Sequence, residues 1–191
     1  MADNPYLPPF SYGHLDLAVA SGKIKLRDGR YVVLREFRIE DKDRLIKMYA
    51  SLSNEALRWG LPPYTQERIE RWLGNLQNLI AVVALEGDRI VGHAQISKFA
   101  HPRRRGVADV LIYLHQDFHG VRLGSAMLMR LLELARRDGL HKLNLDVIAE
   151  NKTAIHLYKK FGFKVEGVKK KSYLGEDGRY HDELVMGLIL H

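Results

Sequence analysis

The chain has no cysteine at all, which excludes a disulfide framework, a thiolate nucleophile and thiolate-held zinc. No metal is expected. Proline is scarce and uneven: of six in the chain, Pro5, Pro8 and Pro9 crowd the start, and with Gly13 and Gly22 they mark residues 1–22 as an irregular arm. Long apolar runs are missing too. The longest, such as Leu79 to Leu85, fall far short of the roughly 18 residues of a membrane-spanning helix, and Met1 to Phe10 lacks the basic-then-apolar order of a signal peptide. The expectation is a cytoplasmic protein with no membrane partner.

What is present suits one compact domain over residues 23–191. The 191 residues, 46% hydrophobic, suffice for a sizeable core. The formal charge of +7 favours an anionic cofactor or partner but needs a site to acquire meaning. Arg103-Arg104-Arg105 and Lys169-Lys170-Lys171 are read as solvated charge beside turns. No nucleic-acid module is visible.

Turn signals and hydrophobic periods then divide the chain. Ile24 to Arg27 and Tyr31 to Glu36 flank Asp28-Gly29, a dipeptide suited to a tight hairpin. Helical periods follow from Asp41 and from Thr65, separated by the aromatic loop Trp59 to Tyr64. Leu79 to Leu85, Arg89 to Ser97 and Val107 to Leu114 read as strands, the first two joined at Gly87-Asp88. An amphipathic helix carries Leu123, Met127, Leu131 and Leu134 on one face and stops at Gly139. Leu143 to Ile148 is a strand, Asn151 caps a helix through Tyr158, and strands at Phe161 to Val168 and Tyr180 to Leu190 close the sheet around Asp177-Gly178. The expected order is ββαβ followed by βαβαββ: an α/β (α+β) fold with a mixed, mostly antiparallel central sheet flanked by helices.

A strand entering Gly120-Val121-Arg122-Leu123-Gly124-Ser125 and then a helix gathers free backbone N–H groups and the positive end of a helix dipole, which is an anion-binding arrangement. The segment from Ala108 to Gly124 resembles the strand, loop and helix of the GNAT N-acetyltransferase superfamily. A later segment resembles it further: Leu143-Asn144-Leu145-Asp146-Val147, then Asn151, Ala154, Tyr158, Gly162 and Phe163. The likeness runs from the Tyr31 strand to the closing strand at Asp182 to Met186, and takes in both ribosomal-protein and phosphinothricin-type enzymes. One departure stands out. The family's Q/R-x-x-G-x-G/A signature has His119 for its first residue and Arg122 for its first glycine, leaving Gly124 to obey it.

The resemblance implies acetyl-CoA as acetyl donor, held by backbone groups of Ile112, Tyr113 and Leu114 and by the loop His119, Gly120, Val121, Arg122, Leu123, Gly124 and Ser125, with Asn151 nearby. It places Tyr158 as the acid facing the sulfur; a phenol of pKa near 10 is protonated at neutral pH. Asp146 and Asp109 stand at acidic positions of the family and are the candidate bases. Each of these side chains has an alternative reading. Tyr158 can be core packing beside Ile155 and Leu157, Asn151 a helix cap, and either aspartate a structural acid. Trp59, Tyr64 and Trp72 either line an acceptor groove or pack in the core. The expected partner is a primary amine, whether a protein N-terminus, a lysine or a small molecule, and a homodimer is left open. The alternative function is a catalytically weak acyl-CoA-binding module, motivated by His119 and Arg122.

Overall fold

A computed structural model describes residues 22–190, so of the expected arm 1–22 all but Gly22 lies outside the described residues. Eight strands form one sheet in the order β1-β2-β3-β4-β5-β6-β8-β7. β1 (Lys23–Lys25) and β2 (Tyr31–Glu36) make the expected hairpin, with Gly29 at φ 92 in its turn. α1 (Lys42–Ala50), α2 (Asn54–Leu57) and α3 (Gln66–Leu73) precede the antiparallel run β3 (Leu79–Glu86), β4 (Arg89–Lys98) and β5 (Val107–Leu114). α4 (Leu123–Arg137) crosses over to β6 (Lys142–Ile148), which runs parallel to β5. α5 (Lys152–Lys160), β7 (Lys164–Leu174) and β8 (Tyr180–Ile189) complete the chain.

The apolar run of β3 is continuous because both its faces are covered. Val82 and Ala84 turn into a core built on Leu123, Met127, Leu128 and Leu131 of α4. Val83 and Leu85 turn the other way, into a second core with Leu45, Met48 and Tyr49 of α1 and Ile69 and Leu73 of α3. The sheet therefore has a back, under α4 and α5, and a front, under α1 and α3. α4 stops as its sequence requires. Gly139 takes φ 72, a left-handed turn that costs glycine little, and the Leu140 N–H returns 3.0 Å to the Ala135 carbonyl.

Two expectations need correction. The strand placed at Phe161 to Val168 begins at Lys164, because α5 continues to Lys160 and Phe161 caps it through N–H contacts to the Leu157 and Tyr158 carbonyls. It also runs on to Leu174, so Lys169-Lys170-Lys171 belongs to a strand rather than a solvated turn. Cross-strand carboxylates explain this: the Lys170 ammonium lies 2.8 Å from Asp182, and the Lys171 N–H donates to the same carboxylate at 2.9 Å. The short helix α2 was also unforeseen; Ser53 caps it by accepting from the Ala56 N–H.

Candidate active site

β5 and β6 pair over three rungs only, the last being Asp109 with Asn144. Beyond it β5 continues to Leu114 and β6 to Ile148 without a shared rung, so the sheet opens as a wedge. Side chains alternate across it. Ile112 and Leu114 pack into the back core, whereas Tyr113 turns to the front core. Main-chain groups of these three residues line the β5 side of the opening, where no strand covers them.

At the end of β5 lies the anion loop. Gly120 takes φ 73 with no atom within 4 Å of where a side chain would start, so the loop surface there is bare backbone. Arg122 caps α4 in the left-handed region, at φ 70 and ψ 9, with no side-chain capping bond. That is the conformation the family's glycine favours, and an arginine holds it at a cost of roughly 1 to 2 kcal/mol. The N–H groups of Leu123, Gly124 and Ser125 begin the helix, whose first bond runs from the Ala126 N–H to the Arg122 carbonyl; such leading groups have no partner within a helix.

Supports for this loop come from far along the chain. The Arg27 N–H donates to the Val121 carbonyl at 3.2 Å, and the Arg30 guanidinium donates to the Asp117 carbonyl at 2.6 Å while lying 4.0 Å above the Phe118 ring. Gln116 binds the chain before α2, accepting from the Ser53 N–H at 3.1 Å and donating to the Ser51 carbonyl at 3.2 Å. His119 turns back to the Leu114 carbonyl, 3.2 Å from its Nε2. His115 and His119 stand four residues apart, a spacing that suits metal ligands on a helix; here the His115 Nδ1 meets Arg89 at 3.1 Å and the His119 Nε2 meets the Leu114 carbonyl. Among the described residues no group of three His, Cys, Asp or Glu is placed to hold a metal.

On the back of the wedge, Asn151 caps α5, its side-chain oxygen accepting from the Ala154 N–H at 3.1 Å. Tyr158 is buried, with its ring centroid 5.6 Å from that of Phe163. Burial pushes its phenol up to about 12, so it is protonated throughout the neutral range. Its hydroxyl has no hydrogen-bond partner among the described residues.

The front carries the two aspartates. Asp109 occupies the last paired rung, where desolvation raises its carboxyl against the opposing pull of Asn144 and Arg104. Asp146, one alternation beyond Asn144, is gripped by the Lys169 ammonium at 2.5 Å. Lys169 reaches it from β7 across the intervening β8, and that carboxylate raises the lysine's own pKa. Sequence reading missed Lys169, although the alternation of β7 and β8 would have put it on this face once their pairing was known.

A strap of residues 58–64 borders the front. The Tyr173 hydroxyl is shared between the Gly60 carbonyl at 2.7 Å and the Arg58 carbonyl at 3.0 Å, and Tyr64 meets Tyr113 hydroxyl to hydroxyl. The aromatic residues divide. Tyr64 and Trp72 pack into the front core, whereas Trp59 stands edge-on to His181 and lines a cleft of about 320 Å³ with Asn54, Glu55 and Glu176. His181 ties two loops together, with Nε2 3.0 Å from Asp177 and Nδ1 3.4 Å from Glu150, and both carboxylates raise its pKa. No helix among the described residues is long and apolar enough to cross a membrane.

Known proteins resemble this chain in sequence and fold. An L-amino acid N-acetyltransferase of Escherichia coli (strain K12) is 33% identical over 109 residues, covering 56% of this chain and 66% of that protein. The spermidine N(1)-acetyltransferase of the same strain is 31% identical over 115 residues, or 58% of each chain. The chain thus spans about two thirds or less of the length of these curated relatives. A crystal structure of a GNAT-family acetyltransferase from Streptococcus pneumoniae matches with a TM-score of 0.72 at 26% identity, over 83% of this chain and 99% of that one. The sequence pattern of the acetyltransferase (GNAT) family itself matches residues 46–163. With wedge, glycine-bearing loop and buried helix tyrosine all in place, the chain belongs to the acetyltransferase (GNAT) family, whose members take the acetyl group from acetyl-CoA.

Proposed function

We propose that the protein transfers acetyl from acetyl-CoA to the primary amine of a small molecule, foremost the α-amino group of a free amino acid, by direct attack on the thioester. The observation that carries this reading is the position of Asp109, on the front face at the rung where β5 and β6 part. The wedge fits the donor: open main chain on β5 suits the amide-bearing pantetheine arm, and the bare backbone at Gly120 with the leading N–H groups of α4 suits its pyrophosphate. Arg122 already adopts the glycine-like turn and adds a guanidinium capable of charge-assisted contact. This supports cofactor binding, which the weak-module alternative shares; turnover with an amine is what separates the two.

In the proposed reaction the acceptor enters from the front. Asp109 takes a proton from its ammonium, the amine attacks the thioester carbon, and Tyr158 on the back protonates the departing thiolate. Freeing the nitrogen at pH 7 costs about 1 kcal/mol for the α-amine of a peptide terminus and about 4.6 for a lysine side chain. A free amino acid, whose α-carboxylate withdraws less than a peptide carbonyl, falls between the two and is a less demanding acceptor than lysine. Asp146 is the poorer base, since accepting a proton would forfeit its ion pair with Lys169. We place the acceptor's entry at the cleft of about 320 Å³ beside Trp59 and His181, whose size suits a small substrate, and the likeness to an amino-acid acetyltransferase supports the same class.

Acetyl-CoA titrated in a thermal melt, then CoA release with free amino acids, spermidine and an N-terminal peptide, tests the reading. Stabilisation that follows ligand concentration, with fastest release on free amino acids, is expected. Equal stabilisation by adenosine, or release on none of the amines, would contradict it.

A further inference from the structure

Among the described residues, Lys169 is the lysine whose ammonium lies directly on one of the two candidate bases, at 2.5 Å from Asp146. Its position follows from sheet order. β8 lies between β6 and β7, with Asp146 opposite Val185 and Lys169 opposite Glu183. The lysine therefore stretches across β8 toward the wedge. Immediately after Lys169 the β7–β8 register shifts, and Lys171 takes φ 49. Asp109 and Glu183 lie close enough to act on the same ammonium electrostatically. A primary amine hydrogen-bonded to a carboxylate beside the opening between β5 and β6 has the arrangement an amine acceptor requires: nucleophile and base within reach, on the side from which attack comes.

We propose that Lys169 is an intramolecular acetyl acceptor, so that the protein acetylates itself there when acetyl-CoA is present and no free amine competes. This rests on the acetyl-CoA reading above. The Lys169 ammonium gives one proton to Asp146, and the neutral nitrogen attacks the thioester carbon. The carbon–sulfur bond breaks, CoA leaves as thiol after taking a proton, and an acetamide remains on Lys169. One acetyl-CoA yields one acetyl-lysine, one CoA and one proton, with no oxidant or further reactant. An unperturbed lysine amine is neutral only about once in 2,500 at pH 7, and the carboxylate of Asp146 holds Lys169 charged more firmly still, which makes the step slow. Its attachment to the site offsets this, since well-oriented intramolecular reactions reach effective molarities on the order of 10⁵ to 10⁸ M. Acetylation removes the charge that grips Asp146 and so frees this carboxylate on the front face.

Neighbouring Lys170 supplies the internal control. Its side chain is 77% exposed against 48% for Lys169, so unguided chemical acetylation should favour Lys170. The test incubates the full chain with acetyl-CoA alone and follows intact mass and peptide maps over time at several protein concentrations. The expected result is a gain of one acetyl group on Lys169, at least tenfold faster than on Lys170, with a first-order rate independent of protein concentration. Lys169→Arg should lose this gain, and Asp146→Asn should slow it at least tenfold in a chain that still binds acetyl-CoA. Acetyl groups spread over exposed lysines, or a rate proportional to protein concentration, would overturn the proposal. A wild-type chain that releases CoA with free amines yet leaves Lys169 unmodified overturns it alone. If acetyl-CoA neither stabilises the chain nor releases CoA with any amine, the functional reading fails with it.

Discussion

Behind the wedge, α4 meets the sheet through Leu123, Met127, Leu128 and Leu131, and the groups offered to a donor are main-chain N–H and carbonyls and one buried phenol. In front, Asp109, Asn144, Asp146, Lys169 and Glu183 form a charged surface of side chains from four strands. A cradle made of backbone tolerates sequence change as long as its turns keep their φ angles. A face made of side chains changes its chemistry with every substitution. His119 and Arg122 can therefore depart from the family signature while the loop keeps its shape, whereas specificity for the acceptor rests with individual residues in front.

The largest expected effect separates the two aspartates of the front. Asp109→Asn should lower the turnover number by about 10² to 10⁴, the usual contribution of a general base, while Asp146→Asn lowers it by about tenfold or less. The check is amine-dependent CoA release at saturating acetyl-CoA. Equal losses would dissolve the distinction drawn between Asp109, raised by desolvation, and Asp146, held by lysine.

Acid should strike the front layer before the back. His93 is fully buried beneath α1, its Nδ1 2.9 Å from the Tyr49 hydroxyl and its Nε2 without a partner, and burial lowers its pKa to about 3. Its ring lies among those of Tyr49 and, through it, Tyr64, Trp72 and Tyr113. Below pH 6.5 the unfolded chain takes up a proton that the folded chain refuses. Stability is thus complete above about pH 6.5 and falls as pH drops toward about 3, by about 1.4 kcal/mol per pH unit from this group. Denaturant unfolding at pH 7 and pH 5 should show a loss of about 2 kcal/mol that His93→Gln largely removes. An unchanged pH slope in the variant would assign the acid sensitivity elsewhere.

The smallest effect concerns the back. Arg122→Gly should raise the stability of the ligand-free chain by about 1 kcal/mol, because glycine adopts the left-handed turn without strain. The same change should weaken acetyl-CoA about tenfold through loss of one charge-assisted contact. A lower melting temperature, or tighter binding, would mean that the guanidinium plays neither part.

Much of this was legible in the residue order. Asp28-Gly29, Gly87-Asp88 and Gly139 marked turns that the chain makes, and the four-residue spacing of Leu123, Met127 and Leu131 marked the face that α4 buries. Both halves of the wedge followed from the segments around Gly124 and Tyr158. What stayed hidden depends on contacts between distant positions. No local pattern joins Arg30 to Asp117, 87 residues away, or Tyr173 to Gly60, 113 away. The extent of β7 was missed because three successive lysines read as a loop until Asp182 on the neighbouring strand and Asp146 one strand further appear as their partners. Trp59 and Trp72 looked alike as residues; only the packing of α3 sets one against the front core and leaves the other beside the cleft.

The division between a backbone cradle and a side-chain face is tested most directly by calorimetric titration of acetyl-CoA into Asp109→Asn and Tyr158→Phe, set beside their amine-dependent CoA release. The account predicts dissociation constants within about threefold of wild type, with turnover reduced on the order of 10² or more in each variant. Wild-type turnover, or affinity lost in proportion to rate, would contradict it.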